Sequence, residues 1–88
     1  MNLCSPKEIK ELMQAFGIRP SRALGQNFLI DSRVVVRTAE LCCEGRSESI
    51  LEIGPGVGCL TERLPGRYKN VVAIEIDSRL IPVLRFTL

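Results

Sequence analysis

"LEIGPGVGCL", residues 51–60, sets three glycines at alternate positions directly behind an apolar run, with Glu52 just ahead of them. At average glycine usage a GxGxG spacing occurs in roughly one window in 3,000, so a chance cluster of turn residues is the weaker explanation. "ILEI" (50–53) reads as a short buried strand entering the run, and Cys59 to Leu64 as a short helix ended by "PGRYKN". Glycines that join a strand to a helix let backbone N–H groups approach a ligand closely and present a helix N-terminus to it. Gly54, Gly56 and Gly58 are therefore expected to form a ligand loop.

Downstream, "VVAIEID" (71–77) is rich in β-branched residues and reads as a second strand. Glu75 lies near its end, 21 residues after Gly54. A carboxylate there can accept two hydrogen bonds from the cis-diol of a ribose, each worth about 1.5–3 kcal/mol. A solvated strand-end acid is the plain alternative. Asp77 or Ser78 is expected to cap a third helix, "RLIPVLRF", with Pro82 in its first turn or just beyond. Strand, glycine turn, helix, strand, helix is a βαβα unit with a parallel strand pair. Two parallel strands make an incomplete sheet, which leads to the expectation that these residues form the N-terminal part of a longer protein.

Ahead of the first strand, "SPKE" (5–8) carries the signals of a helix start: Ser5 as cap, Pro6 at the first position, and Glu8 three residues after the cap, completing a capping box. Ile9, Leu12, Met13 and Phe16 follow at helical spacing, and Gly17 ends the element. "GIRPSRALGQNFLID" (17–31) reads as a long ordered loop. A second helix is expected from Asp31 or Ser32 through Val35, Ala39, Cys42 and Cys43 to Gly45, although the triplet Val34-Val35-Val36 favours strand.

Composition narrows the function classes. The 88 residues are 45% hydrophobic and 25% charged, ordinary for a soluble globular chain. The net charge of +2 does not by itself announce a nucleic-acid binder. Its distribution says more, since residues 19–37 hold four arginines against one aspartate, either a solvated basic loop or an RNA-facing patch that includes Arg19 and Arg22. With four cysteines in no CxxC pair and no histidine, a zinc site is not expected. Cys42 and Cys43 read as small hydrophobes on a helix, which suits a reducing cytosol. Nothing resembles a membrane span or a signal peptide, so a cytoplasmic protein without membrane contact is expected.

A nucleoside cofactor follows from the glycine run and Glu75 together. A dinucleotide site would use GxGxxG to seat a pyrophosphate, and Glu52 would be a poor neighbour for one. It is a good neighbour for a cation such as the ammonium and sulfonium of S-adenosylmethionine. The spacing also disfavours an NAD-dependent enzyme.

"LGQNFLID" (24–31), "LEIGPGVGCLT" (51–61) and "VVAIEID" (71–77), in this order and spacing, closely resemble the ribosomal RNA adenine N6,N6-dimethyltransferases, the KsgA-type dimethyladenosine transferases. The likeness covers about residues 20–85. It implies the N-terminal part of a class I S-adenosylmethionine-dependent methyltransferase, an α/β Rossmann-like fold in which two helices precede an incomplete βαβα unit. Residues 1–46 would then be a helical segment whose loop 17–30 faces cofactor and RNA, and residues 47–88 the first βαβα portion, with the rest of the catalytic domain and a C-terminal domain absent.

By the same resemblance, Asn27 and Leu29 would contact the methionine and sulfonium end of the cofactor, Gly54 would touch it through backbone, and Glu75 would hold the ribose hydroxyls. Gln26 and Phe28 would shape the entrance for an adenine of small-subunit ribosomal RNA, and simple packing is the alternative for Phe28. Ile76 would lie against the cofactor's adenine ring, with core burial as its alternative. The family's Asn-x-Pro-aromatic motif does not occur in these residues, so no catalytic residue is assigned and the 88 residues alone are expected to be inactive. The rival expectation is a non-catalytic module that binds RNA or self-associates, through the bare edge of the first strand or the apolar face beside it.

Overall fold

A computed structural model describes residues 1–19, 31–42 and 49–88. Its elements run α1 (Pro6–Ala15), α2 (Ser32–Leu41), β1 (Ser49–Ile53), a 3₁₀ turn (Thr61–Arg63), β2 (Asn70–Ile74) and α3 (Leu80–Thr87). The mixed helix–strand order is the one the sequence leads to.

Helix α1 starts where the Ser5 hydroxyl accepts the Glu8 N–H at 3.3 Å, so the cap is as expected. The capping box does not close. The Glu8 carboxylate accepts the Asn2 N–H at 3.2 Å instead, because the Ser5 N–H already donates to the Asn2 carbonyl. At the other end Gly17 takes a φ of 67°, the Gly17 N–H reaches the Gln14 carbonyl, and the Ile18 N–H reaches that of Met13 at 2.8 Å. This Schellman closure turns Ile18 back under the helix, where it is buried with Ile9, Leu12 and Met13. Phe16, the fourth residue of the expected stripe, is exposed and meets the ring of Phe86 at a centroid distance of 6.0 Å.

Helix α2 is capped by Asp31, which accepts the Arg33 N–H at 3.0 Å. Only Val35 of its valine triplet is buried, and the helix keeps its period because Ala39 falls one turn later on the same side. Cys42, read as a small hydrophobe on the helix, is exposed at the helix end. The Tyr68 hydroxyl donates to its carbonyl, tying α2 to the approach to β2. Cys43 and Gly45 lie outside the described residues.

The strands pair in parallel, Ser49 opposite Asn70 through Ile53 opposite Ile74. One face of the pair turns inward: Ile50 and Val71 pack on a cluster of Ala39, Leu64 and Tyr68. A second cluster gathers Leu3, Cys4 and α1 with Val35, Val57, Cys59, Leu80 and Val83, so the N-terminal segment is bound into the same core as the glycine turn and α3. The other face of the sheet is bare. Leu51, Ile53, Val72 and Ile74 are each more than half exposed, which corrects the expectation that 50–53 is a buried strand.

Between the strands the expected helix 59–64 shortens to the 3₁₀ turn, because turns occupy 56–60 and Pro65 follows Leu64. Strand β2 ends at Ile74, so Glu75 and Ile76 fall just beyond it. Asp77 then sets up α3: its carboxylate accepts the Arg79 N–H at 3.1 Å and its carbonyl the Leu80 N–H at 3.0 Å. Pro82 is the third residue of the helix, within the first turn where its missing N–H costs little.

Candidate functional site

Parallel pairing brings the ends of β1 and β2 to one rim. The Gly54 N–H donates to the Ile74 carbonyl at 2.8 Å, one step past the ladder, and the chain then leaves the sheet. Gly54, Gly56 and Gly58 have φ of 74°, 61° and 99°, the left-handed region that other residues enter only with strain. Each of the three therefore answers a backbone demand.

Their surroundings divide their roles. A Cβ at Gly54 would meet nothing within 4 Å, so that glycine leaves open space over the turn. A Cβ at Gly58 would sit 3.2 Å from both Leu88 Cδ2 and Thr87 Oγ1, so that glycine admits the end of α3. The Thr87 hydroxyl donates to the Val57 carbonyl at 2.8 Å and fastens α3 to the turn. Gly56 has a third task. Its N–H donates to Glu75 Oε1 at 3.1 Å.

Glu75 faces the turn, as the sequence reading requires. Its second oxygen accepts the Asp77 N–H at 2.9 Å, so two backbone donors fix the carboxylate in place. A carboxylate has about four acceptor positions. Two hydroxyls can still be accepted without displacing either backbone donor. Asp77 itself is buried and held by Arg79, with Arg79 Nη2 2.7 Å from Asp77 Oδ2. It anchors Arg79, which is itself the N-cap of α3, so the expected cap at Asp77 or Ser78 is not made: the helix begins at Leu80, one residue later than the sequence suggests.

Glu52 lies on the inward face of β1, half-buried, and accepts the Thr61 hydroxyl at 2.6 Å. Burial raises its carboxyl above the usual range, and the Thr61 hydrogen bond partly offsets that. A carboxylate whose charge is disfavoured by burial gains from an approaching cation. Ile76 is 79% exposed, which removes core burial as its explanation and leaves an apolar surface beside Glu75.

The structure brings Gly54, Gly56, Glu75 and Ile76 to the rim where the two strands end, whereas Glu52 faces inward onto Thr61 and Gly58 is packed against the end of α3. Arg19 is exposed. Arg22, Gln26, Asn27, Phe28 and Leu29 lie outside the described residues. Sequence reasoning missed Thr61 as the partner of Glu52. Strand alternation places Glu52 inward, but nothing in the sequence marks which hydroxyl meets it. An apolar groove of about 450 Å³, lined in part by Thr61, Pro65, Val71, Ala73 and Ile81, includes none of the glycine or Glu75 positions.

The family model described as ribosomal RNA adenine dimethylase matches residues 18–88. Proteins called ribosomal RNA small subunit methyltransferase A, from Bacillus thuringiensis (strain Al Hakam) and Bacillus mycoides (strain KBAB4), are 44% identical over 87 residues. The alignments cover 99% of this chain and 30% of each relative, so the chain spans less than a third of their length.

Proposed function

The chain belongs to the ribosomal RNA adenine dimethylase family, and from that premise we propose that it supplies the donor-binding part of an enzyme that dimethylates adenine N6 in small-subunit ribosomal RNA. The two parallel strands, the 3₁₀ turn between them and α3 would be the opening portion of a Rossmann-like methyltransferase domain. The cytoplasm is the setting that goes with such a substrate.

The donor in this reading is S-adenosylmethionine, and the residues at the rim fit it. Glu75 would hold the ribose diol with the acceptor positions that Gly56 and Asp77 leave open. Gly54 would let the ligand lie against bare backbone, Ile76 would cover one side of the adenine ring, and Glu52 would offset positive charge. Gln26, Asn27 and Leu29 would complete the methionine side. When bound, the cofactor supplies a methyl group on a sulfonium for direct displacement by the amine. The protein's share is positioning: a conjugated exocyclic amine is a weak nucleophile, so holding donor and acceptor in line carries most of the rate. The base must leave its stack to arrive there, and Arg19, Arg22 and Phe28 are the residues proposed to face it.

The observation that carries the reading is the Glu75 carboxylate held against the Gly56 N–H at an otherwise open glycine turn. Calorimetry with S-adenosylhomocysteine, S-adenosylmethionine and NAD tests it. Binding of the first two with no response to NAD is expected. Binding of NAD alone would overturn the assignment.

A further inference from the structure

Cys4 and Cys59 are joined by a disulfide across 55 residues of sequence, with Cα atoms 6.0 Å apart. Both are buried, at 4% and 5% exposure, in the cluster that packs α1 against α3. Cys59 directly follows Gly58, the glycine pinned by the end of α3, and Cys4 directly precedes the cap of α1. The bond therefore fastens the start of α1 to the downstream leg of the glycine turn. We propose that Cys4 and Cys59 are a reversible dithiol–disulfide pair whose oxidation stiffens that turn.

Disulfides are uncommon in reducing compartments, where a close cysteine pair is more often a sensor than a permanent staple. The oxidant is a low-molecular-weight disulfide such as glutathione disulfide. One cysteine thiolate attacks it, forming a mixed disulfide and releasing one glutathione thiolate. The second cysteine then attacks the mixed disulfide and releases the other. Two protein thiols become one disulfide, two glutathione thiols form, and the protons and electrons balance. Because both sulfurs are buried, the exchange requires a local opening that releases the packing of Leu3 and the hydrogen bond from the Asn2 N–H to Glu8.

An effect on ligand affinity rests on the reading of the turn as a cofactor site, whereas the bond and the stiffening do not. The test therefore needs no ligand. The 88-residue chain is equilibrated in glutathione disulfide or in a phosphine reductant, digested without reduction, and followed by mass spectrometry and amide hydrogen exchange. A peptide linked through Cys4 and Cys59 is expected in the oxidised sample. Amides of residues 56–60 are expected to exchange about tenfold more slowly there than in the reduced one, with smaller changes in β2. In Cys4→Ala, the exchange is expected not to respond to the reductant. Absence of the linked peptide would overturn the proposal. So would a linked peptide with unchanged exchange at 56–60, or with all amides shifting together as a bare staple would make them.

Discussion

The Glu75 carboxylate accepts the Gly56 N–H at 3.1 Å, joining the end of one strand to a turn 19 residues earlier. The other carboxylate oxygen is occupied by the Asp77 N–H, so the group is oriented before any ligand arrives. Glu75→Gln would replace one acceptor oxygen with an amide that repels whichever backbone N–H it meets. We expect affinity for S-adenosylhomocysteine to fall about 10- to 100-fold, from the loss of one or two hydrogen bonds to a charged acceptor. Titration calorimetry reads this directly, and an unchanged affinity would remove Glu75 from the site.

The glycines of the turn should differ in what they tolerate. Gly58→Ala carries both a φ of 99° and contacts at 3.2 Å with Leu88 and Thr87. It should cost about 2–3 kcal/mol of stability. Gly54→Ala meets open space and should cost only about 1 kcal/mol from its backbone angle. Urea midpoints rank the two, and equal losses would contradict the division of roles. Gly54→Ala should instead show its main effect in ligand binding.

Glu52 gives stability a pH dependence whose sign follows from its surroundings. Its folded pKa is raised, chiefly by burial, above the ordinary value of 4.5. The folded chain therefore holds this proton longer than the unfolded chain does. Its favourable contribution is full below the ordinary value, declines as pH rises through the folded value, and is then lost. Glu52→Gln should remove that decline. Thr61→Val deletes the offsetting hydroxyl and should steepen it, costing about 1–2 kcal/mol at neutral pH. Urea unfolding at a series of pH values separates these variants, and a Thr61→Val chain as stable as the wild type at neutral pH would refute the pairing.

The bare sheet face should make the chain adhesive. Leu51 stands opposite Val72 and Ile53 opposite Ile74, so four apolar side chains form one exposed patch. Concentration-dependent self-association is expected, and Ile53→Lys with Ile74→Lys should abolish it. Sedimentation at high concentration decides. A wild-type chain that stays monomeric throughout would contradict the expectation.

Much of this was legible in the sequence because the signals are local. Ser5, Pro6 and Gly17 act within a few residues of themselves, and the three glycines declare left-handed backbone wherever they occur in such a run. The parallel pair followed from element order, and the place of Glu75 beside the turn from its position at the end of the second strand. What escaped was non-local. The union of Cys4 with Cys59 depends on how α1 folds back over the turn, and no spacing rule spans 55 residues. The capping box failed because Asn2 competes for the Ser5 N–H, a contact outside the motif. The helix after the turn shortened because Gly58 and Pro65 bound it too closely for a full helical turn to repeat.

Since β1 and β2 run in the same direction, the turn after each opens at one mouth, while the hydrogen-bond ladder that supports both lies behind it. Shape at the mouth is thereby uncoupled from cohesion of the framework. Ile76, exposed beyond the end of β2, can be exchanged without disturbing a single rung between the strands.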